Sequence, residues 1–444
     1  MSEIRIVRED EYPELLRIAA EAYPILDIAS REAFQKMLER FKISRRDSSW
    51  TPYGVFREGK LVGIYRNYDF TLNVRGNLIS AGGLGMVAVD LTHKKEHIAR
   101  EIVEGFLTHY DKRGDAMTTL WPFRVDFYHK MGFGLGSRRY QYRISPASLP
   151  KGNKEHVRYL TNVDIPAINA CYNHCFEQQN GMIRHSEARW QNRLEFMDKL
   201  RCVGCDIDGA LEGYLIYNFK KLDHPGSFMD SEIAVVEMFY DTPRALHELL
   251  SFLHSQFDQV SRVSIETSED EFYFLMSNPT MSTGAQLTPN YHESHIAGVG
   301  IMYRVMNLDR LFAQLQKPCF GDDRINVKIN LKDSFLPQNS GSRVVSFHDG
   351  LGQVVNDRVA DVAISLDVAE FSSMVMAAVG FRKLHTYGLA QISDPSYIDR
   401  LDRLFTYHQK PVCVTGFKKR RQFLFVRGVI DQVPFYLACK SEGR

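Results

Sequence analysis

The chain has 444 residues, 44% of them hydrophobic and 25% charged, with a formal net charge of +1. That length exceeds one ordinary domain and predicts two or three, in a composition typical of soluble globular proteins. Near-neutral charge removes the long-range attraction on which nucleic-acid and anionic-membrane binders depend, and no apolar run reaches the roughly 20 residues of a membrane span.

In chain order, the N-terminus alternates like a strand over residues 4–8 and lacks the apolar core of a signal peptide. Seven cysteines, an odd number, point to reduced thiols. The expectation is a cytoplasmic protein with neither a nucleic-acid nor a membrane partner. Residues 12–22 and 31–41 carry helical spacing, the first through Leu15, Leu16, Ala19 and Ala20. Strands 53–57 and 61–69 flank Glu58-Gly59-Lys60, a hairpin signal; residues 70–74 prolong the second, and Arg75-Gly76-Asn77 turns it into a strand reaching Val89. From Ile98 onward, Ile98, Ile102, Val103, Phe106, Leu107 and Tyr110 fall on one stripe of an amphipathic helix.

Between that strand and helix, residues 90–96 form a polar turn with Thr92, His93, Lys94 and Lys95. A helix start offers unpaired N–H groups and the positive end of its dipole, a natural seat for an anion. Taken alone, the turn reads equally well as a solvated basic edge. Residues 116–121 form another strand, 127–131 a short helix stopped by Gly132, and 138–144 a closing strand. The sum is a mixed α/β layer whose central helix leaves the fourth strand.

Residues 146–153, PASLPKGN, are a linker by composition. A second α/β pattern follows: a strand at 156–160, helices at 165–179 and 186–199 around Trp190, two strands separated by Asp208-Gly209, a strand at 232–240, a helix at 244–257 and a strand at 262–266. It repeats the first order without a phosphate turn, since Phe239-Tyr240-Asp241-Thr242-Pro243 precedes the helix. Cys202 and Cys205 make a lone C-x-x-C, two ligands where a structural metal site needs four, so plain thiols and no metal are expected. A third unit starts near Gly300, with strands at 301–305, 325–331, 344–348 and 362–366 and helices at 307–316, 367–379 and 397–405. The apolar face of Phe371, Met374, Val375 and Ala378 reads as core rather than as a lipid groove.

The order of elements and the segment VAVDLTHKKEHIA resemble the GNAT superfamily of N-acetyltransferases. Within it the match is to the enhanced intracellular survival (Eis) acetyltransferases, whose hallmark is V-x-V, then T-H, a basic run and a glycine opening the helix. DFYHKMGFG resembles the same family's aromatic-Tyr-x-x-x-Gly-Tyr/Phe-Gly segment, and the interval between the two motifs also fits. The resemblance implies an α/β (α+β) chain of three parts: an N-terminal GNAT domain over 1–147, a degenerate GNAT-like domain over 154–298, and a sterol-carrier-protein-like domain over 299–417 that takes in LDVAEFSSMVMAAVG. It implies acetyl-CoA as co-substrate, held through the backbone of Val87 and Val89 with Ala88 between. Lys95, Glu96, His97, Ile98, Ala99 and Arg100 would line its pyrophosphate, and Phe123 and Arg124 would make a further contact. Tyr128 takes the general-acid position. Without the resemblance, Val87 and Val89 read as buried strand and Tyr128 as a packed core tyrosine. A homo-oligomer, a hexamer, is implied by resemblance alone.

Two features depart from the family pattern. His97 stands where the family has glycine, after Lys95-Glu96 rather than an arginine pair. A side chain there obstructs the close approach of a phosphate, and Glu96 sets a carboxylate beside it. Family members also end at an aromatic residue whose terminal carboxylate serves as general base. Here Pro411-Val412-Cys413-Val414-Thr415-Gly416-Phe417 resembles that ending, yet residues 418–444 follow. Three readings stay open: the extension threads Arg444 into the cleft, a water chain takes the proton, or the extension blocks catalysis. Its Lys418-Lys419-Arg420-Arg421 run is otherwise a solvated face or a handle for an acidic partner. The expected activity is direct acetyl transfer to a primary amine, aminoglycoside-like or lysine-like. The alternative is a catalytically impaired binding or regulatory protein that keeps the fold.

Overall fold

The computed structural model describes residues 2–23, 30–195, 200–222, 231–281, 286–288 and 291–413. The first unit runs through β1 (Glu3–Ile6), α1 (Tyr12–Ala22), α2 (Arg31–Ser44), β2 (Trp50–Arg57), β3 (Lys60–Val74), β4 (Asn77–Val89), α3 (Ile98–Arg113), β5 (Met117–Leu120), α4 (Val125–His129) and β6 (Gly134–Leu135). Both expected hairpin turns form. Glu58 and Gly59 have φ of 50° and 77°, Arg75 and Gly76 of 52° and 81°, the left-handed pairs that match the twist of a tight hairpin. All six residues of the apolar stripe on α3 are buried, none more than 1% exposed.

The second unit comprises β7 (Arg138–Ile144), β8 (Val157–Leu160), α5 (Ile165–Gln178), α6 (Glu187–Glu195), β9 (Arg201–Ile207), β10 (Ala210–Lys221), β11 (Ser231–Tyr240), α7 (Pro243–His254), β12 (Arg262–Thr267), a small β13 (Gln286–Thr288) and β14 (Tyr291–His292) pair, and β15 (Ile296–Val299). Next comes β16 (Met302–Val305), then α8 (Leu308–Gln314), β17 (Ile325–Lys332), β18 (Gly341–His348), β19 (Leu351–Val355), β20 (Val362–Asp367), α9 (Val368–Val375), α10 (Phe381–Thr386), β21 (Ala390–Ile392) and α11 (Ile398–Phe405).

Two strands change partners relative to the sequence reading. The first sheet has the order β1-β2-β3-β4-β5-β16-β6 and the second β15-β7-β12-β11-β10-β9-β8. Thus the strand expected to close the first unit, β7, joins the second sheet, while β16, placed at the start of the third unit, completes the first. Alternation identifies a strand and its buried face but not the sheet that receives it, so the exchange leaves no trace in the pattern. The third sheet, β19-β18-β17-β20-β21, is separate.

One apolar cluster nevertheless runs continuously from α1 and α2 of the first unit to α9 and α11 of the third. Phe371, Met374 and Val375 are fully buried in it, as core rather than groove, whereas Ala378 is half-buried beyond the end of α9. The Arg75 turn is pinned there too: its buried guanidinium donates to the carbonyls of Cys319, Met374, Val375 and Phe405. Burial without a carboxylate partner pulls that cation's pKa down to about 10. Among the described residues no helix is long and apolar enough to cross a membrane. The expected ending over 414–417 and the extension 418–444 lie outside the described residues.

Candidate active site

The site begins with a defect in β4. This strand pairs with β3 from Val74↔Asn77 to Gly63↔Val89, with the register broken between Ile64 and Arg66. The extra residue is on β4, where Met86 takes φ 51°, a bulge that bends the strand and re-aims its edge. On the other side β5 runs parallel to β4 only from Ala81↔Met117 to Leu84↔Leu120. Beyond the bulge the two strands part. Ala88 is opposite Ile64, and Asp90 N donates to Val62 O at 2.9 Å, so Ala88 faces β3. By alternation the N–H and C=O groups of Val87 and Val89 face the opening. The Val87 carbonyl accepts from the Tyr23 hydroxyl at 2.6 Å, which fixes the orientation of that peptide.

The turn after β4 is ordered by Asp90, whose carboxylate accepts from Thr92 N at 2.9 Å and from the Arg17 guanidinium on α1. Burial opposes ionisation of Asp90, but the bonds from Arg17 and Thr92 outweigh it and hold the carboxyl below its usual range. Lys95 and His97 both have positive φ, 68° and 62°. The backbone therefore adopts at His97 a left-handed conformation that glycine takes without cost, at roughly 1–2 kcal/mol for a residue with Cβ. No side chain caps α3, so its first N–H groups and its dipole face the turn. Ile98 is buried and Ala99 half-buried beneath this end. Lys94, Lys95, Glu96, His97 and Arg100 are exposed around it.

The Glu96 charge is offset by Arg57. The Glu96 carboxylate accepts from Arg57 at 2.6 Å, and Arg57 also reaches Glu101 at 2.8 Å. Arg100 pairs along the helix with Glu104 at 2.9 Å, and Arg124 with Asp126 at 2.6 Å. Among the described residues neither Lys94 nor Lys95 has an ion pair, so they are the charges available to an anion here. Uncapped N–H groups, two lysines and an open strand edge fit a nucleotide diphosphate with an extended amide-bearing arm.

Tyr128 lies in α4, buried, with the exposed Phe123 ring standing perpendicular to it at 5.6 Å. Burial, reinforced by the nearby Tyr23 phenol, pushes its pKa well up. Among the described residues its hydroxyl donates to no acceptor, so the proton is not committed elsewhere. On the opposite face of the sheet, Arg66 Nε, Thr119 Oγ1 and Trp121 Nε1 are buried without a partner among the described residues. Arg66 stacks on Trp50 at 4.0 Å. Thr119 is the cross-strand neighbour of Tyr303, whose hydroxyl donates to Gly181 O at 3.1 Å. Residues 411–413 pass along this same surface: Val412 N donates to Asn180 O at 2.7 Å, and Cys413 is buried close to Tyr303. Tyr23, Arg57 and these unsatisfied polar atoms escape the sequence reading, because every contact that gives them meaning is far away in the chain.

The second unit repeats the parted strands but not the seat. Its β11 has a register break at the same stage, between Ile216 and Tyr217, and pairs with β12 only to Val235↔Ile265. Its following helix is closed: Thr242 caps Ala245 N, Pro243 opens α7, and Glu212 accepts from the Thr242 hydroxyl at 2.6 Å. A capped start beside a carboxylate repels an anion. Cys202 and Cys205 sit three apart on a strand and enter different core clusters on opposite faces, so they cannot share a metal ion. Among the described residues no group of three His, Cys, Asp or Glu could hold one.

Comparison with known proteins finds three domain models along the chain. Residues 3–136 match an acetyltransferase (GNAT) domain, residues 181–305 match a second acetyltransferase (GNAT) domain, and residues 308–414 match a sterol carrier protein domain. No curated protein matches the sequence. Among solved structures, a GCN5-related N-acetyltransferase from Anabaena variabilis is similar at TM-score 0.76 and 14% identity, over 92% of this chain and 98% of that one. One from Kribbella flavida has TM-score 0.72 and 17% identity over 92% and 97%. Eis1 from Mycobacterium abscessus has TM-score 0.73 and 19% identity over 94% and 100%.

Proposed function

We propose that this chain, which carries two acetyltransferase (GNAT) domains and a sterol carrier protein domain, transfers acetyl from acetyl-CoA directly to a primary amine at the first of the two. The observation that carries the reading is the parting of β4 from β5 at the Met86 bulge, with the uncapped α3 at one end and the free Tyr128 hydroxyl beside it. The pantetheine arm would pair with the exposed backbone of Val87 and Val89. Its pyrophosphate would lie against Lys95 and the N–H groups of Ile98 and Ala99, with Arg100, Phe123 and Arg124 at the margin; the Arg100 N–H is already given to His97 O.

Three tasks remain for the protein. The Val87 N–H, in the peptide just before the one that Tyr23 holds through the Val87 carbonyl, would meet the carbonyl oxygen as it gains charge. As the amine nitrogen bonds to the acetyl carbon and the C–S bond breaks, the Tyr128 hydroxyl hydrogen-bonds to the departing sulfur, which leaves as the thiol with the proton that the nitrogen gives up. The amine must first lose a proton, since an ordinary lysine-type ammonium has a pKa near 10.4 and no lone pair. Although the His97 side chain still narrows the approach of a phosphate, Arg57 offsets the Glu96 charge and the His97 backbone already holds the conformation that glycine would favour. This favours an active enzyme over an impaired binding protein.

The acceptor would be a primary amine, aminoglycoside-like or lysine-like. A cavity of about 250 Å³ is lined by Tyr68, Asp69, Arg184 and Arg189 among others. Asp69 is already paired with Arg113 and Arg184 with Glu177, so these walls do not select between the two amine classes. Release of free thiol from acetyl-CoA tests both points, with a lysine peptide and an aminoglycoside compared on the full chain and on a chain ending at Phe417. Turnover of at least one of the two amines is expected; activity confined to the shortened chain would make residues 418–444 a block. Absence of thiol release from both chains with either amine would overturn the reading.

A further inference from the structure

The short helix that carries Tyr128 is held from outside its own domain. Five residues, Val125–His129, are too few to hold a helix by themselves, and the supports come from β16 and the third unit. Arg304 of β16 donates to Met131 O at 2.7 Å and to Asp333 at 2.5 Å, and both charged side chains are fully buried. The Tyr128 carbonyl closes the same turn, accepting from Met131 N at 3.0 Å and Phe133 N at 3.2 Å. Helix α9 presses on the chain just past that turn. A Cβ on Gly134 would lie 2.0 Å from the Ala369 carbonyl oxygen, and one on Gly132, whose φ is 81°, would lie 1.5 Å from Arg304. The side chain next to Tyr128 reaches across the same boundary: His129 Nε2 meets Glu370 Oε1 at 3.0 Å, with the Glu370 side chain only 10% exposed.

We propose that Glu370 of the third unit is a positioning residue for acetyl transfer. Acting through His129, it holds α4 so that the Tyr128 hydroxyl stays at the parted edge of β4. This rests on the reading of Tyr128 given above. The charged groups around His129 fit the role: Glu370 and the α9 cap Asp367 face it, Asp333 is neutralised by Arg304, and Asp126 of its own helix is engaged by Arg124. The bond to Glu370 raises the His129 pKa above 6.5. The ion pair is therefore complete below 6.5 and is lost as pH rises through the higher native value.

The test is a double-mutant cycle on the full chain, read by thiol release with a lysine peptide from pH 6 to 9. Glu370→Ala should lower kcat about five- to twenty-fold, the scale of a small misplacement of a reacting group, with KM for acetyl-CoA within two-fold. The loss should narrow as pH rises. In a Tyr128→Phe background the same substitution should cost less than two-fold, because the hydroxyl it positions is gone. Glu370→Gln keeps an acceptor for neutral His129; it should show a smaller loss with the same narrowing, and it carries the test if the alanine variant does not fold. A kcat within two-fold of the parent in both variants, or an equal loss with and without Tyr128, overturns the proposal alone. Unchanged turnover in Tyr128→Phe, or no thiol release from the parent, overturns the reading beneath it as well.

Discussion

Replacing Tyr128 with phenylalanine separates catalysis from stability in a way the structure makes quantitative. The hydroxyl donates to no described residue, so its removal leaves no buried group without a partner. That is the condition under which losing a hydrogen-bonding group is nearly neutral. The folding free energy should change by less than about 1 kcal/mol, a shift in thermal midpoint below about 4 °C for a domain-sized unit. Turnover should behave differently. Burial holds the phenol above its free pKa of 10.0, whereas an ordinary thiol titrates near 8.5. Full proton transfer from phenol to thiolate is therefore uphill, and the useful interaction is a hydrogen bond to sulfur as it becomes charged. Such a bond contributes about 1.5–3 kcal/mol, so kcat should fall roughly 10- to 150-fold. KM for acetyl-CoA should stay within two-fold, since the interaction strengthens only in the transition state. Steady-state thiol release and a thermal melt on the same preparation measure both quantities. A kcat within two-fold of the parent, or a KM that rises while kcat holds, would refute the role given to Tyr128.

Three further outcomes are expected. His97→Gly removes a side chain from a residue at φ 62°; relief of about 1–2 kcal/mol is offset by about 0.5–1 kcal/mol of glycine entropy, so denaturant unfolding should show unchanged or slightly higher stability and titration tighter acetyl-CoA binding. Asp333→Ala strands the buried Arg304 guanidinium and should cost about 3–5 kcal/mol, visible as a large drop in the thermal midpoint; a drop matching a surface substitution would contradict the burial described. Asp90, whose native pKa lies below its free value of 3.8, contributes stability that is complete above that value and declines as pH falls through the native one. Asp90→Asn should therefore flatten the acid limb of a pH–stability curve, and an unchanged limb would show that Asp90 does not couple to folding.

The parts of the fold set by local chemistry are legible in the sequence. The Glu58-Gly59 and Arg75-Gly76 turns form as expected, and the stripe from Ile98 to Tyr110 lies fully buried. Partner choice is not legible. β7 and β16 exchange sheets because an alternating strand satisfies either sheet equally. The site shows the same division. Val87, Val89, Lys95 and Tyr128 are singled out by the family resemblance, and the Met86 bulge lies beside Val87 and Val89. Tyr23, Arg57 and Glu370 are not, since they act on residues 64, 39 and 241 positions distant. His97 shows a subtler gap: the identity of the residue argues against the turn, while its backbone holds the conformation that glycine would favour.

The open helix start in the first unit, beside a closed one in the second, is best probed by equilibrium binding of acetyl-CoA to the full chain. That arrangement predicts one molecule per chain, weakened roughly ten-fold by Lys95→Glu, which replaces one favourable exposed charge contact with a repulsive one of about 1 kcal/mol each at most. It also predicts weakening by added salt and no change on Thr242→Ala. Two molecules per chain, or an affinity indifferent to Lys95 and sensitive to Thr242, would contradict it.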